Sequence, residues 1–407
     1  MKPLSAHIGL FCVITIGSLS AGPTNAVTLN LQNALHIAER HSPSLRASVA
    51  RQIAAEQRAR AAGLPANPRL VLGSEAIRGS RSGETLFGVS QSVPLGKERK
   101  LDRAAAEADR DRAALQVDAE RLRLGQRVRG AFATALFAQH SERLFSERIA
   151  ILKTRLRLAT ARADAGDAIS ELSELAHAAL DHEQLEREQA ATMRRKAFAG
   201  LATAMGQPNM NIGGLRADLE SSLGVDEIRS LSRDLDNLPA ARAADQAAIA
   251  AELRARQARA SRIPSLNLNL LHRRDLATRK SGADIGIGIA LPLFDNKQAA
   301  ASAFEADAES ARSQAQQLRQ RAKLTYRQLI ADLETALQRH DHIRDEILPH
   351  HERIVSRRRA LFEAGETDRD DYEVARLELT TEKRHQQEAL REVHLVWAQL
   401  SALVERE

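Results

Sequence analysis

A chain of 407 residues has room for two or three ordinary domains, yet only 3% of its side chains are aromatic while 28% are charged. That balance, dominated by Ala, Arg, Glu, Leu and Gln, excludes compact aromatic cores and points to long helices and coiled coils. The net charge of +6 is small for the length and the two signs are interspersed, so the Arg-rich stretches read as solvated helix faces with (i, i+4) pairs, and nucleic acid is not an expected partner.

The first 26 residues read as a secretory signal peptide: Lys2 supplies the positive start, Ile8 to Ile16 the apolar stretch, and Thr24-Asn25-Ala26 the small residues before a cut. The stretch is too short and wrongly flanked for a membrane anchor. Cys12, the single cysteine, lies inside it, without the small-residue run that precedes a lipidated cysteine. The mature chain is therefore expected to carry no disulfide, no thiolate chemistry and no Cys-type metal site.

Leu31 to Ala62 is expected to be one helix, from the spacing of Leu31, Ala34, Leu35 and Ala38, ended by Gly63 and Pro65. Strands follow near Arg69–Arg78 and Glu84–Val93, joined by the turn signal Gly79-Ser-Arg-Ser-Gly83. From about Lys97 to Ala163 the helical pattern has no proline. Gly166 marks a reversal, and a return helix runs from about Ile169 to Met205. The stretch from Gly206 to Leu238 is broken by Gly213, Gly214 and Gly224 and reads as a connector. The pattern then repeats: helix Ala240–Arg262, strands Pro264–Arg273 and Asp284–Leu291, a long helix Lys297–Ala364 broken at Pro349, a reversal at Gly365, and a return over Asp370–Val404. This internal duplication divides the chain into a signal peptide (1–26), a first repeat (27–206), a connector (207–238) and a second repeat (239–407).

The strands alternate with period two. Phe87, Val89 and Val93 alternate with Gly88, Ser90 and Ser92; Leu266, Leu268 and Leu270 with Ser265, Asn267 and Asn269; Ile285, Ile287 and Ile289 with Gly286, Gly288 and Ala290. Taken singly, each fits a half-buried strand of a soluble sheet. Together, at 8–10 residues each and attached to helices too long to fold over them, they fit tilted membrane strands. Lipid tolerates no open sheet edge, and barrels start at about eight strands, so several chains must each contribute four.

The duplication, the paired strand insertions and the glycine-marked reversals resemble the outer membrane efflux proteins, the TolC-like exit ducts. The junctions Ser90-Gln-Ser-Val-Pro94-Leu-Gly-Lys-Glu-Arg99 and Leu291-Pro292-Leu-Phe294-Asp-Asn296-Lys-Gln298 are similar to its heavy-metal, CzcC-like branch. The resemblance implies a mainly α fold with a small β contribution: a long α-helical coiled-coil barrel plus four transmembrane strands per chain, closed as a trimeric 12-stranded barrel in the outer membrane. It implies a homotrimer coupled through a periplasmic adaptor to an inner-membrane RND pump, with most of the mass in the periplasm, acting as a passive duct for heavy-metal cations. A drug-efflux or secretion duct shares the fold. A periplasmic adaptor or coiled-coil scaffold is the competing class, although it would not carry two copies separated by paired alternating strands.

A duct has no reaction to catalyse, and no nucleophile context, phosphate loop or cofactor motif stands out, so no enzyme activity and no cofactor are expected. In the resembling family, acidic residues just past the second reversal form rings that narrow the periplasmic mouth. By spacing from Gly365, Asp371 matches the first such position, whereas the second falls on Val374, leaving Asp370 or Glu373 as substitutes. Three carboxylates at a narrow axis attract cations; simple N-terminal capping of the return helix is the competing reading. Gly166 and Asp167, with Gly365 and Glu366, are the expected adaptor-docking tips; Phe87, Val89, Leu266, Leu268, Ile285 and Ile287 are the expected membrane-facing side chains. The pairs His340/His342, His350/His351 and His177/His182 lack the (i, i+4) spacing of a shared ion on one helix, so no metal site is expected among them.

Overall fold

The computed structural model describes residues 27–404 except 77–82, 167–169, 217–234, 277 and 292. The expected signal peptide and much of the expected connector lie outside the described residues. In chain order the elements are β1 (Val27–Leu29), α1 (Leu31–His41), α2 (Pro43–Ala61), β2 (Arg69–Ala76), β3 (Gly83–Pro94), α3 (Glu98–Asp164), α4 (Ser170–Ala204) and β4 (Ile212–Leu215). There follow α5 (Pro239–Ala260), β5 (Ser265–Asp275), β6 (Ser281–Ile289), α6 (Gln298–His342), a π-helical turn (Ile343–Ile347), α7 (Leu348–Glu363) and α8 (Arg369–Val404).

The helices set the scale. α3 alone has 67 residues, roughly 100 Å at 1.5 Å per residue, and it packs along α2, α4, α5 and α8. Length without aromatic bulk is achieved by alanine. Ala241, Ala248 and Ala255 of α5 are buried at seven-residue spacing, and so are Ala301, Ala308, Ala315 and Ala322 of α6, whose stripe continues through Leu329, Ala336 and Ile343. A seven-residue repeat keeps one stripe facing the partner only if the helices supercoil left-handedly, and small side chains let the backbones approach closely. Among the described residues the larger side chains gather in four clusters, the two largest being one of Val128, Phe132, Leu136, Leu201 and Met205 with Leu29 and Leu215 and one of Tyr326, Leu329, Leu333, Val393 and Leu400; smaller ones centre on Ile149 and Leu180 and on Ile343 and Leu348.

Three local features differ from the expected elements. The helix expected over Leu31–Ala62 is two: Pro43 disfavours helical geometry at Ser42, which adopts φ −60°, ψ 119° and accepts a hydrogen bond from Leu45 N at 3.3 Å as the N-cap of α2. The expected connector contributes β4, which pairs in parallel with β1. The buried Gln139 side chain finishes that small sheet, donating to Leu215 O (3.1 Å) and accepting from Leu215 N (2.9 Å). Before Pro349 the helix widens to a π turn over Ile343–Ile347. The proline lacks an N–H and its ring crowds the carbonyl four residues back, so the extra residue absorbs the mismatch without breaking the rod.

The strands form one antiparallel sheet in the order β2-β3-β5-β6, so the hairpin of each half pairs with the other through β3 and β5. The register builds complete rows. Leu70, Val89, Leu270 and Ile285 lie side by side across four strands, followed by Leu72, Phe87, His272 and Ala283. Toward the helices come Gln91, Leu268 and Ile287, then Val93, Leu266 and Ile289. This face is exposed despite being apolar: Leu72 is 70% and Ile285 79% accessible. The opposite face carries Arg69-Ser90-Asn269-Gly286 and Val71-Gly88-Leu271-Asp284. Among the described residues no helix is long and apolar enough to cross a membrane, leaving the sheet as the element with membrane-type patterning.

Gly88 is where the two halves meet most tightly: a Cβ there would sit 2.1 Å from Leu270 O and 2.6 Å from Leu271 Cα. Backbone cannot step aside as a side chain can, so Gly88→Ala is expected to disrupt the β3–β5 ladder and cost about 3 kcal/mol. Gly73→Ala, whose Cβ would meet only the Leu86 side chain at 3.6 Å, is expected to be tolerated. Thermal melting of the detergent-purified variants compares the two.

Candidate functional site

Two regions hold the residues singled out in the sequence: the membrane-type sheet and the helix reversals at the far end of the rods. In the sheet, Phe87, Val89, Leu266, Leu268, Ile285 and Ile287 share one face by register, in three adjoining strands. The other face carries an ion-pair cluster toward the strand ends remote from the helices. Arg273 Nε donates to Asp284 Oδ2 at 2.7 Å and its Nη1 to Glu84, tying β5 to β6 and β3.

At the second reversal, Gly365 adopts φ +77°, and a Cβ added there would meet no atom within 4 Å. Its amide donates to Phe362 O (3.0 Å) and the Glu366 amide to Leu361 O (2.9 Å), closing the last turn of α7 by the six-to-one and five-to-two bonds that need a left-handed residue. Gly166 at φ +78° does the same work after α3, its amide donating to Ala163 O at 3.1 Å. Asp167 lies outside the described residues. Below Gly365, Phe362 stacks on Tyr372 with ring centroids 6.4 Å apart and planes 4° from parallel, pinning α7 to α8.

The acidic residues around Gly365 are not bare. Asp370 is held by both arms of Arg155, at 2.8 and 3.1 Å. Asp368 pairs with Arg162 at 2.6 Å. Asp371, half-exposed, accepts from Thr367 Oγ1 (2.6 Å) and pairs with Arg358 at 3.3 Å. Glu373 is buried between Arg376 (2.8 Å) and Arg369 (3.5 Å). Glu363 accepts from Arg359 Nε at 2.8 Å, a bond that raises the Arg359 pKa above its ordinary value. Asp371 therefore sits in the first turn of α8 with a local partner from α7, whereas Asp370 bonds across to α3, in the other half of the chain.

The residues that make those crossings were not among those expected from the sequence. Arg148, Arg155 and Arg162 are spaced by seven on α3 and form one stripe facing α8. Arg148 is the most enclosed: it binds Glu183 of α4 at 2.5 and 3.2 Å and donates to Thr381 Oγ1 of α8 at 2.8 Å, joining three helices. Their seven-residue spacing, set against the acid-rich start of α8, was the available signal. Of the histidines, His340 is buried with Nδ1 3.3 Å from Asp341, and His342 pairs with Glu346 at 3.2 Å. Among the described residues no three His, Cys, Asp or Glu side chains converge as a metal centre would require.

The ladder grades in energy with burial. Arg148→Met leaves the Glu183 carboxylate buried and unpaired and is expected to cost about 3 kcal/mol, most of it recovered in Arg148→Met/Glu183→Leu. Arg155→Met breaks a half-exposed pair and is expected to cost about 1 kcal/mol or less, yet to speed amide exchange across 364–372. Chemical unfolding and hydrogen–deuterium exchange read the two effects separately.

The chain is similar to known proteins in both sequence and fold. The family model for outer membrane efflux proteins matches residues 34–207. The cobalt-zinc-cadmium resistance protein CzcC of Cupriavidus metallidurans is 26% identical over 281 residues, covering 67% of this chain and 65% of that protein, just under two thirds of its length. A membrane protein from Pseudomonas aeruginosa superposes with a TM-score of 0.76 at 16% identity, covering 92% of both chains. The outer membrane protein VceC of Vibrio cholerae superposes at 0.72 and 19% identity, over 92% of this chain and 95% of that one. By sequence, residues 34–207 are thus similar to the outer membrane efflux proteins, and the fold is shared with solved outer membrane proteins over 92% of the chain.

Proposed function

We propose that the chain is one protomer of a trimeric outer-membrane exit duct, joined by a periplasmic adaptor to an inner-membrane pump, and that its cargo is heavy-metal cations. The observation that carries this reading is the sheet: four strands, apolar and exposed on one face, polar and small on the other, with unpaired outer edges on β2 and β6. Such edges are untenable in lipid, and three copies joined edge to edge give twelve strands, enough to close. The long rods of the two repeats, 27–206 and 239–407, then extend into the periplasm, with the tips at Gly166 and Gly365 facing the adaptor. The relative named for cobalt, zinc and cadmium resistance favours metal cargo over drugs. The metal is cargo: the duct needs to pass it, and a site that binds tightly would impede exit.

Within this reading, the arginine ladder governs the periplasmic mouth. Arg155–Asp370 and Arg162–Asp368 tie the first helical hairpin to the second near the tips, and opening would separate them. Asp371, whose pairing is local and half-exposed, is the carboxylate best placed to turn toward the axis and meet passing cations.

Outer-membrane fractionation is expected to recover the protein, and detergent extracts to contain a trimer; a soluble periplasmic monomer would overturn the reading. In planar bilayers, Asp371→Asn is expected to weaken block by divalent cations several-fold, while unaltered block would leave Asp371 as a helix-capping residue only. Deletion of the gene is expected to sensitise cells to zinc, cobalt or cadmium, whereas sensitivity to dyes alone would assign the duct to drug efflux.

A further inference from the structure

The remote ends of the strands sort their charges by face. Glu75, Glu84 and Asp275 lie in one row on the polar face, and Asp284 and Arg273 occupy the rows beside them. The apolar face at the same height carries no acid. Directly beyond the row that holds Leu72, Phe87 and His272 comes that of Ser74, Thr85, Arg274 and Ser281, followed at the tip by Ala76 against Gly83 and by exposed Leu276. Arg274 is exposed, and the turn joining β5 to β6 adds exposed Arg279 and Lys280. Among the described residues no carboxylate pairs with any of these three cations, whereas Arg273, one residue away on the opposite face, is paired twice.

Position makes the arrangement specific. β5 is an interior strand, flanked by β3 and β6, so closing the sheet with further copies would not cover its outward face. The apolar band starts at exposed Leu291, two residues past the end of β6, and ends at Ser281, which pairs with Arg274. Ten residues at about 3.3 Å each, tilted by about 40°, span roughly 25 Å, the height of the apolar belt of an outer-membrane barrel. Arg274 therefore stands at the edge of that belt, where the hydrocarbon ends and charged headgroups begin.

We propose that Arg274, Arg279 and Lys280 form a lipid-facing cationic site that binds the phosphate groups of the glycolipid in the outer leaflet. Planar guanidinium donors suit phosphate oxygens, and cations at a membrane surface gain from anionic headgroups as cations in bulk water do not. The acids at this height, turned to the polar face, leave the outward field positive. The site rests on the outer-membrane reading given above.

The test uses the full-length protein purified in detergent, titrated with bis-phosphorylated lipid A, with dephosphorylated lipid A, and with inorganic phosphate, bound species being counted by native mass spectrometry. The wild-type protein is expected to retain lipid A, and the Arg274→Gln/Arg279→Gln/Lys280→Gln variant to lose about a hundredfold in affinity, from roughly fivefold for each of three surface cations. Retention of dephosphorylated lipid A as strongly as the phosphorylated form, or equal retention by wild type and variant, overturns the proposal. Equal affinity for inorganic phosphate would make this a site for free anions and overturn the lipid assignment. Absence of lipid A binding in both forms also overturns it, and outer-membrane fractionation of the same proteins then tells whether the channel reading falls with it. Because the three cations make no ion pair within the described residues, the variant is expected to melt with the wild type.

Discussion

A sheet in lipid has nowhere to send an unpaired backbone hydrogen bond. β2 and β6 each leave one edge open, and in hydrocarbon each orphaned N–H or C=O costs several kcal/mol. The chain alone offers four strands, too few to curl shut. In the proposed duct the requirement for closure passes from the chain to its assembly, and with it the requirement that the rods below form a ring.

That requirement explains the composition. In the proposed duct, a ring of rods about 100 Å long cannot be stabilised by a bulky central core, since its centre would have to stay open. The helices instead pack in pairs along narrow seams, and narrow seams favour alanine. The buried stripe of Ala301, Ala308, Ala315 and Ala322 is the consequence: close backbone approach with little side-chain entropy lost. Larger side chains gather where β1, β4 and α1 pack on the rods around Phe132 and Leu201, and between α6 and α8 around Tyr326 and Leu333. Toward the tips apolar packing thins, and the arginine ladder takes over the joining of α3 to α8. An ion-paired joint is weaker than an apolar one and reversible, which suits the opening proposed for this end of the rods.

Much of this was legible in the chain's local patterns. The reversals at Gly166 and Gly365 were found because glycine is the residue that adopts positive φ without penalty, and both do so. The strands were found because alternation survives in short segments. The break at Ser42–Pro43 is hidden in the sequence because the apolar spacing continues across it. β4 is hidden because four residues, Ile212-Gly-Gly-Leu215, carry too little pattern to outvote their glycines. At the second tip the sequence exposed a cluster of acids, and only the fold showed that nearly all of them have arginine partners, Arg155 reaching Asp370 across 215 positions.

The sequence by itself determined the periodic properties: helix length, strand alternation, the duplication and the glycine turns. These depend on residues a few positions apart, and local spacing records them faithfully. Only the tertiary structure decided which hairpin pairs with which, that β3 lies against β5 at Gly88, that Arg155 finds Asp370, and that at the strand ends the acids share one face with Arg273 while Arg274 stands on the other. Those outcomes depend on register between distant segments, where a shift of one residue would exchange the two faces.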